Sequence, residues 1–236
     1  MHEADATTGY WQQLLDAAPA DVAPPWRRSV PVALPDGRWL RLPIRPLPAE
    51  PEPEVRPEPG HAVASLLCNH ASLAVLDALG ELLARQLAPL GAEVVVGLPT
   101  LGLALAPIVA RQLGHARYVP LGYSRKFWYD DALSAAVVSI TSPGAAKRVY
   151  LDPHLLPLVR GRRVLLVDDA VSSGRTARAP WDLLQSLGAE VLALGVAMRQ
   201  GQRWRAELGP ERAARVEGVF DSPLLRATPA GWVPRD

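Results

Sequence analysis

The chain has 236 residues, a formal net charge of +1 at pH 7 and one cysteine, Cys68. A charge this close to zero gives no basic surface for nucleic acid or for an acidic membrane, so we expect neither as a partner. No apolar stretch approaches the roughly 20 residues that a membrane-spanning helix needs, and the first residues do not form a signal peptide. A single cysteine excludes an internal disulfide and a cysteine-based zinc site, which favours a cytoplasmic protein.

Residues 1–60 form a proline-rich segment with half of the 24 prolines of the chain. Apolar spacing over 10–18 predicts a short amphipathic helix. Residues 30–44 predict a β-hairpin with Asp36-Gly37 as its turn, and prolines in both strands predict that these lie at sheet edges. Residues 51–60 alternate proline with charged residues and predict an extended linker. We therefore expect a small appendage over 1–60, without a chemical motif, and a globular domain over 61–236.

From residue 61 onward, helical and strand patterns alternate. Amphipathic spacing predicts helices, over 72–87, 103–113 and 179–187. Runs of branched apolar residues predict strands, over 93–98, 117–123, 137–141, 164–167, 191–198 and 216–220. Strands that alternate with helices form a mostly parallel sheet with right-handed crossovers and helices on both faces. The predicted fold class is therefore α/β, doubly wound.

The strand over 164–167 leads into the most informative motif of the chain. Two adjacent carboxylates follow it, and a short polar loop then enters the next helix. Ligands of open α/β sheets bind at the carboxyl ends of strands. Backbone N–H groups at a helix N-terminus suit a phosphate, whereas paired carboxylates repel it and instead accept hydrogen bonds from a diol. The combination predicts a ribose 5-phosphate site built from Asp168, Asp169, Ser172, Ser173, Gly174, Arg175 and Thr176.

This motif resembles the signature of the type I phosphoribosyltransferases, which bind 5-phosphoribosyl-1-pyrophosphate (PRPP). The family pattern is four apolar residues, two acids, two apolar residues, a small residue and then Thr/Ser-Gly-x-Thr. Residues 164–176 match it throughout, with Ser173 in place of the commoner threonine. The resemblance implies that Asp168 and Asp169 hold the ribose hydroxyls and act in catalysis. A polar turn that merely caps the next helix is the alternative explanation.

Three further segments would have to converge on this loop, namely residues 98–102, residues 125–126 and residues 139–150. Residues 98–102 form a second strand-to-helix turn, which directs N–H donors at an anion. The resemblance places the pyrophosphate loop here, with Thr100 and Gly102 as contacts. Arg125 and Lys126 follow the next strand, where the family places cations that neutralise a diphosphate. An ordinary turn and a solvated basic pair are the respective alternatives.

Residues 139–150 combine small residues and a Pro-Gly turn with two basic residues. In the family, a mobile loop at this place closes over the substrates and excludes water. The resemblance implies that Lys147 or Arg148 meets the departing pyrophosphate, and we take Lys147 as the catalytic candidate. An exposed hairpin with incidental charges is the alternative.

The Leu-Cys-Asn-His run at 67–70 narrows the resemblance to the bacterial xanthine phosphoribosyltransferases. In that branch the asparagine contacts the purine, so Asn69 is the implied base contact. An N-cap role for Asn69 or Ser72 explains the same residues locally. Xanthine enzymes carry a lysine where this chain has Arg199-Gln200. With Gln200 as the second base contact, we expect a less acidic ring than xanthine, such as hypoxanthine, guanine or an unusual heterocycle.

The resemblance implies displacement of pyrophosphate from C1 of PRPP by a ring nitrogen of a purine-like base, in nucleotide salvage. Such a transition state resembles an oxocarbenium ion, so the protein acts by positioning and electrostatics. Mg²⁺ bound through PRPP is the implied cofactor, without a dedicated protein site. The implied assembly is a homodimer. Two alternatives stay open, namely a PRPP-sensing regulator without turnover and a pyrimidine phosphoribosyltransferase or attenuation protein.

Overall fold

The structure is a computed structural model that describes residues 9–47, 60–137 and 147–235. Its strands are, in chain order, β1 (Ser29–Ala33), β2 (Trp39–Pro46), β3 (His61–Ala64), β4 (Val94–Gly97), β5 (Val119–Pro120), β6 (Ser134–Val137), β7 (Lys147–Tyr150), β8 (Arg163–Val171), β9 (Glu190–Gln200), β10 (Val216–Ser222), β11 (Leu224–Thr228) and β12 (Gly231–Pro234). Its helices are α1 (Leu73–Leu87), α2 (Gly102–Gln112), α3 (Leu156–Val159), α4 (Arg175–Ser186) and α5 (Arg203–Ala213), the last kinked at Gly209.

The central sheet has five strands in the order β10-β9-β8-β4-β5, and all its pairings are parallel. Alternate residues of β8 belong to two separate hydrophobic clusters. Leu165 and Val167 pack on the side of α1 and α2, whereas Val164 and Leu166 pack on the side of α4 and α5. A strand segment whose side chains are buried on both faces needs apolar residues at consecutive positions, which is why residues 164–167 of β8 show no alternation in the sequence. The predicted α/β, doubly wound fold is confirmed.

A second sheet has the order β1-β2-β3-β11-β12 and is antiparallel throughout. The predicted hairpin supplies β1 and β2, and its turn contains Asp36 and Gly37 as expected. The C-terminal strands β11 and β12 complete the sheet, so it joins the two ends of the described chain. The division at residue 60 stays a prediction, and the sheet draws strands from both sides of it.

Two predictions for the N-terminal segment are wrong. Residues 10–18 form turns and a bridge rather than a helix, because Leu15 exchanges backbone hydrogen bonds with Trp39, both at 2.8 Å. The edge position expected for both hairpin strands holds for β1 but is wrong for β2, which lies between β1 and β3. The strand β2 tolerates Pro43 because β1 pairs with its first part and β3 with its second, and the Pro43 carbonyl still accepts from the Ser65 N–H at 2.9 Å.

Three predicted boundaries near the motif also shift. The strand β8 continues past the two aspartates to Val171, and α4 begins at Arg175, earlier than expected. The strand β6 begins at Ser134, earlier than the strand expected over 137–141, and shares only Val137 with it, while 138–146 lie outside the described residues. In the described ranges, no helix has the length and apolar character needed to cross a membrane.

Candidate active site

Asp168 and Asp169 lie where β8 extends beyond its neighbour β4. The pairing of these strands ends at Gly97 and Val167, so the carboxylates face the loop that follows β4. Both are nevertheless buried, with 7% and 9% of their surface exposed. The Asp169 backbone N–H donates to Asp168 Oδ1 at 2.9 Å, which ties the two residues together.

Burial sets the electrostatics of this pair. Removal from water raises the pKa of Asp168 well above its ordinary value, and the neighbouring charge of Asp169 raises it further. Desolvation also raises the pKa of Asp169, to about 6. Two carboxylates held close together in a poorly hydrated place are strong acceptors that still need hydrogen-bond donors. Ribose hydroxyls are donors of this kind.

The loop after β8 presents polar groups at the start of α4. Gly174 lies in the left-handed region with φ of 81° and packs so closely on α5 that a Cβ atom would lie 3.2 Å from the Trp204 carbonyl oxygen. Ser173 accepts from the Arg175 N–H at 3.4 Å, while the side chains of Ser172 and Thr176 are exposed. The helix N-terminus and these hydroxyls together suit a phosphate. We name residues 168–176 the signature loop.

The loop after β4 touches the carboxylates directly. A Cβ atom on Gly102 would lie 2.5 Å from the Val167 carbonyl oxygen and 2.9 Å from Asp168 Oδ1, so only glycine permits this approach. Hydrogen bonding by the Gly102 backbone lowers the pKa of Asp168 and partly offsets burial. Thr100 is exposed, and the peptide bond between Pro99 and Thr100 is cis. The structure thus brings the predicted pyrophosphate loop to the signature loop.

The predicted cations are placed unequally. Lys147 is exposed, and its ammonium lies 3.8 Å from the centre of the Tyr123 ring, a cation–π contact. Tyr123 is close enough to the carboxylates that the charge of Asp168, after burial, raises its pKa. Arg125 is exposed and pairs with Asp131 at 2.9 Å.

Lys126 is exposed beside Arg125, and no ion pair between described residues includes it. Arg148 donates to Ser134 Oγ at 2.7 Å and is half-buried. Of the two candidates for meeting pyrophosphate, Lys147 is therefore the one without a hydrogen-bonded protein partner in the described ranges. Tyr123 was missed from the sequence, although it stands two residues before Arg125.

Residues 68–72, named the Asn69 turn, lie near the same carboxylates. Cys68 is fully buried, and its pKa is raised by desolvation first and then by the charges of Asp169 and Asp168. Asn69 is exposed and caps no helix, because Ser72 is the N-cap of α1 and accepts from the Val75 N–H at 3.2 Å. The local explanation of Asn69 as a cap is thereby removed.

Gln200, the other predicted base contact, is buried at the end of β9. Its Nε2 donates to the Ala64 carbonyl at 2.7 Å, which links the central sheet to the second sheet. The preceding Arg199 pairs with Asp221 at 2.7 Å. The base-contact role of Gln200 stays a prediction, and its amide donor already has a protein partner.

The family model of the phosphoribosyl transferase domain matches residues 63–214. The chain belongs to this family. Among similar proteins, the adenine phosphoribosyltransferase of Streptomyces coelicolor is 35% identical over 162 residues, which is 66% of this chain and 83% of that protein. The xanthine phosphoribosyltransferase of Ectopseudomonas mendocina is 27% identical over 161 residues, 66% of this chain and 81% of that protein.

Solved phosphoribosyltransferases share the fold. The adenine phosphoribosyltransferase of Rhodothermus marinus superposes with a TM-score of 0.55 at 22% identity, covering 75% of this chain and 93% of that one. The Giardia lamblia enzyme complexed with 9-deazaadenine gives 0.55 at 20% identity, with the same coverage. The family confirms the predicted phosphoribosyltransferase class, a pentosyltransferase enzyme. The roles of individual residues stay predictions.

Proposed function

We propose that this phosphoribosyltransferase transfers the 5-phosphoribosyl group of PRPP to a neutral purine and releases pyrophosphate, as a step of nucleotide salvage. The observation that carries the proposal is the buried pair Asp168 and Asp169 with two strand-to-helix loops converging on it. Two acceptors for a diol, flanked by two groups of N–H donors for phosphates, match the parts of PRPP in number and in kind.

In this proposal the signature loop holds the 5-phosphate and the ribose. Ser172, Ser173 and Thr176 supply hydroxyl donors at the start of α4, and Gly174 with Arg175 supplies backbone N–H groups. Asp168 and Asp169 accept from the ribose hydroxyls. Their negative potential stabilises the positive charge that develops on the ribose as the bond from C1 to the pyrophosphate oxygen breaks.

The pyrophosphate lies between Thr100, Gly102 and the cations in this proposal. Lys126 and Lys147 neutralise the charge that the leaving group acquires, and Arg125 joins them on release from Asp131. The cation–π contact with Tyr123 holds the Lys147 ammonium at the edge of the proposed site. Residues 142–146 of the predicted closing loop lie outside the described residues, so closure rests on the resemblance.

Mg²⁺ is the proposed cofactor. In the described ranges no three His, Cys, Asp or Glu side chains gather as a metal site, so the ion would be held through PRPP oxygens and water. The acceptor oxygens of Asp168 and Asp169 suit a hard cation near the ribose. When bound, the ion supplies positive charge beside the departing diphosphate.

We propose a neutral purine because no cation at the end of β9 is available for an acidic ring within the described residues. Arg199 is engaged with Asp221, and Gln200 is uncharged and engaged with Ala64. Asn69, the only asparagine of the chain, has an amide that can donate to and accept from a base edge. Several relatives are named adenine phosphoribosyltransferase, which makes adenine the first base to test.

A homodimer is the proposed assembly. Phe127 and Trp128 follow Arg125 and Lys126 in the sequence and are 94% and 44% exposed. Their ring centres are 4.9 Å apart. Adjacent exposed aromatic side chains favour a protein contact. We also propose a cytoplasmic location without a nucleic-acid partner, on the basis of the buried Cys68 and the near-zero net charge.

The test is pyrophosphate release from PRPP and Mg²⁺ with adenine, hypoxanthine, guanine, xanthine and uracil, each in turn. We expect a neutral purine to give the highest kcat/KM and xanthine and uracil to give little release. Faster turnover of uracil or xanthine would overturn the choice of base. Tight PRPP binding without release from any base would favour the sensing regulator instead.

A further inference from the structure

Residues 10–12, named the strap, lie against the Asn69 turn, and hydrogen bonds join the two segments. The Ser72 backbone N–H donates to the Trp11 carbonyl at 2.9 Å. The Ser72 hydroxyl donates to the Gln12 carbonyl, also at 2.9 Å. Since Ser72 also caps α1, the strap and the start of the helix share one anchoring residue.

Side chains of the strap reach the other residues of this region. Gln12 Nε2 donates to the His70 carbonyl at 2.9 Å. The indole N–H of Trp11 donates to the Ser65 carbonyl at 3.1 Å, and the Trp11 ring meets the His70 ring edge-on, with 6.4 Å between centres. These contacts fall on both sides of Asn69 in sequence, so the strap fixes the backbone before it and after it.

The backbone of the strap is itself unusual. Trp11 has φ of 60°, and it is the only residue other than glycine with a positive φ in the described ranges. A bulky residue in this conformation is unfavourable and persists only when its surroundings determine it strongly. Trp11 is 3% exposed and belongs to the same hydrophobic cluster as α1. The protein thus accepts local strain where the strap meets the Asn69 turn.

The strap holds the backbone of the Asn69 turn, but it forms no hydrogen bond with the Asn69 side chain. Asn69 is exposed and no hydrogen bond to its amide is found among the described residues, while Cys68 next to it is buried beside the two aspartates. An amide that reads a base edge must be presented in a fixed direction. Here that direction depends on a backbone that the strap holds.

We propose that the strap positions Asn69 and thereby sets the affinity for the acceptor base, with Gln12 as a positioning residue. The inference rests on the proposed function, since it concerns how that function selects its base. A segment outside the family match at 63–214 then contributes to the affinity for the base, because the strap precedes this range. The affinity for PRPP is independent of the strap.

The test replaces the donor of Gln12 while keeping its size. Gln12→Glu removes the N–H groups that reach the His70 carbonyl, and Gln12→Lys restores a donor. We expect Gln12→Glu to raise the KM for the preferred purine about threefold to fivefold, in the range for loss of one hydrogen bond. Its kcat and its PRPP affinity should stay within about twofold of wild type, and Gln12→Lys should return KM toward the wild-type value.

A double-variant cycle with Asn69→Ala tests whether the strap acts through that side chain. Gln12→Glu should add no further increase in KM once Asn69 is Ala. The control is Gln185→Glu, which changes an exposed glutamine that accepts from Arg212 at 2.9 Å, and its KM should not move.

A wild type that turns over none of the purines overturns the proposed function and this inference with it. A wild type that turns over a purine, together with an unchanged KM in Gln12→Glu, overturns the strap alone. The strap proposal is also overturned if Gln12→Glu raises KM equally in the Asn69→Ala background. It is likewise overturned if the PRPP dissociation constant rises together with KM.

Discussion

The signature loop and the Asn69 turn are held by contacts of different range along the chain. In the signature loop, Asp169 bonds to Asp168 and Arg175 bonds to Ser173, so its internal hydrogen bonds join residues one or two positions apart. The Asn69 turn is held by hydrogen bonds with Trp11 and Gln12, whose partners His70 and Ser72 are 58 to 61 positions away. The polar groups of the signature loop come from one contiguous segment, against which β9, α5 and Gly102 pack. The Asn69 turn is instead supported by hydrogen bonds from a distant segment.

This difference separates the two recognition tasks of the proposed enzyme. The ribose and phosphates of PRPP are common to all members of such a family, and a contiguous loop carries their binding groups. The base varies, and its candidate contact lies on a turn whose supports can change without altering the loop. Substitutions in the signature loop and its neighbours should therefore change the PRPP affinity or kcat, whereas substitutions at the Asn69 turn should change only the KM for the base.

The largest expected effect is on the free energy of unfolding, which the buried carboxylates of the signature loop lower. Burial raises the pKa of Asp169 from 3.8 to about 6, and about two pKa units correspond to about 3 kcal/mol. Because the folded state binds this proton more tightly than the unfolded state, the free energy of unfolding falls as pH rises from about 4 to about 6. The raised pKa of Asp168 adds to the same fall. Asp169→Asn should therefore make the fall shallower without abolishing it and should stabilise the protein at pH 7, as measured by urea unfolding.

Asp182→Asn is the control for this prediction, since Asp182 is half-exposed and pairs with Arg212 on the surface. It should leave the fall in stability between pH 4 and 6 intact. A wild type whose stability does not fall over this range, or an Asp169→Asn variant whose stability falls as steeply as that of wild type, would contradict the assigned cause.

The contact between the two phosphate loops should be next in size. In Gly102→Ala the new methyl group meets the Val167 carbonyl and forces the pyrophosphate loop away from Asp168. We expect kcat/KM to fall about 100-fold, as for misplacement of reacting groups by about 1 Å. Gly122→Ala is the matched control, because a Cβ atom there has no heavy atom within 4 Å. Equal activity of the two variants would show that close approach at Gly102 is not needed.

Lys147 should act on catalysis more than on binding. Lys147→Ala removes the cation that we propose to meet the leaving group. We expect kcat to fall about thirtyfold, or about 2 kcal/mol, in the range for hydrogen bonds to charged groups. The PRPP dissociation constant should change less than kcat, which separates the two roles. Arg148→Ala should instead lower the melting temperature, because it removes the hydrogen bonds to Ser134. A larger loss of kcat in Arg148→Ala would reverse the assignment.

Asn69→Ala should give the smallest effect and the most selective one. We expect the KM for the base to rise about tenfold, which is about 1.4 kcal/mol, with PRPP affinity and melting temperature unchanged. The control is Gln112→Ala, which removes an exposed amide near Glu81 and should alter neither the KM for the base nor the PRPP affinity. If Asn69→Ala changes only the melting temperature, the residue has a structural role and the separation between loop and turn fails.

The sequence predicted the signature loop because every part of it is consecutive. Alternation of strands and helices likewise predicted the central sheet, whose five strands were all expected. The strand β8 was expected to end before Asp168 because carboxylates are unusual inside a buried strand. They extend it here because β9 still pairs with β8 as far as Val171.

What the sequence did not predict depends on contacts between distant residues. The apolar spacing over 10–18 indicated a helix, but Leu15 pairs with Trp39 and Trp11 packs into the core instead. Gln200 was assigned to the base from its position after the strand expected over 191–198, and nothing local indicated its bond to Ala64, 136 positions away. Such long-range pairings leave no periodic pattern, and these decide the surroundings of the Asn69 turn.

Calorimetric titration of PRPP with Mg²⁺ into wild type and into the Asp168→Asn, Asp169→Asn double variant tests the central claim most directly. The claim is that the buried aspartate pair holds PRPP, and each hydrogen bond to a charged acceptor contributes about 1.5–3 kcal/mol. We predict binding to wild type and to the Asp182→Asn control, and affinity at least 100-fold weaker in the double variant. Equal PRPP affinity in wild type and double variant would contradict the account.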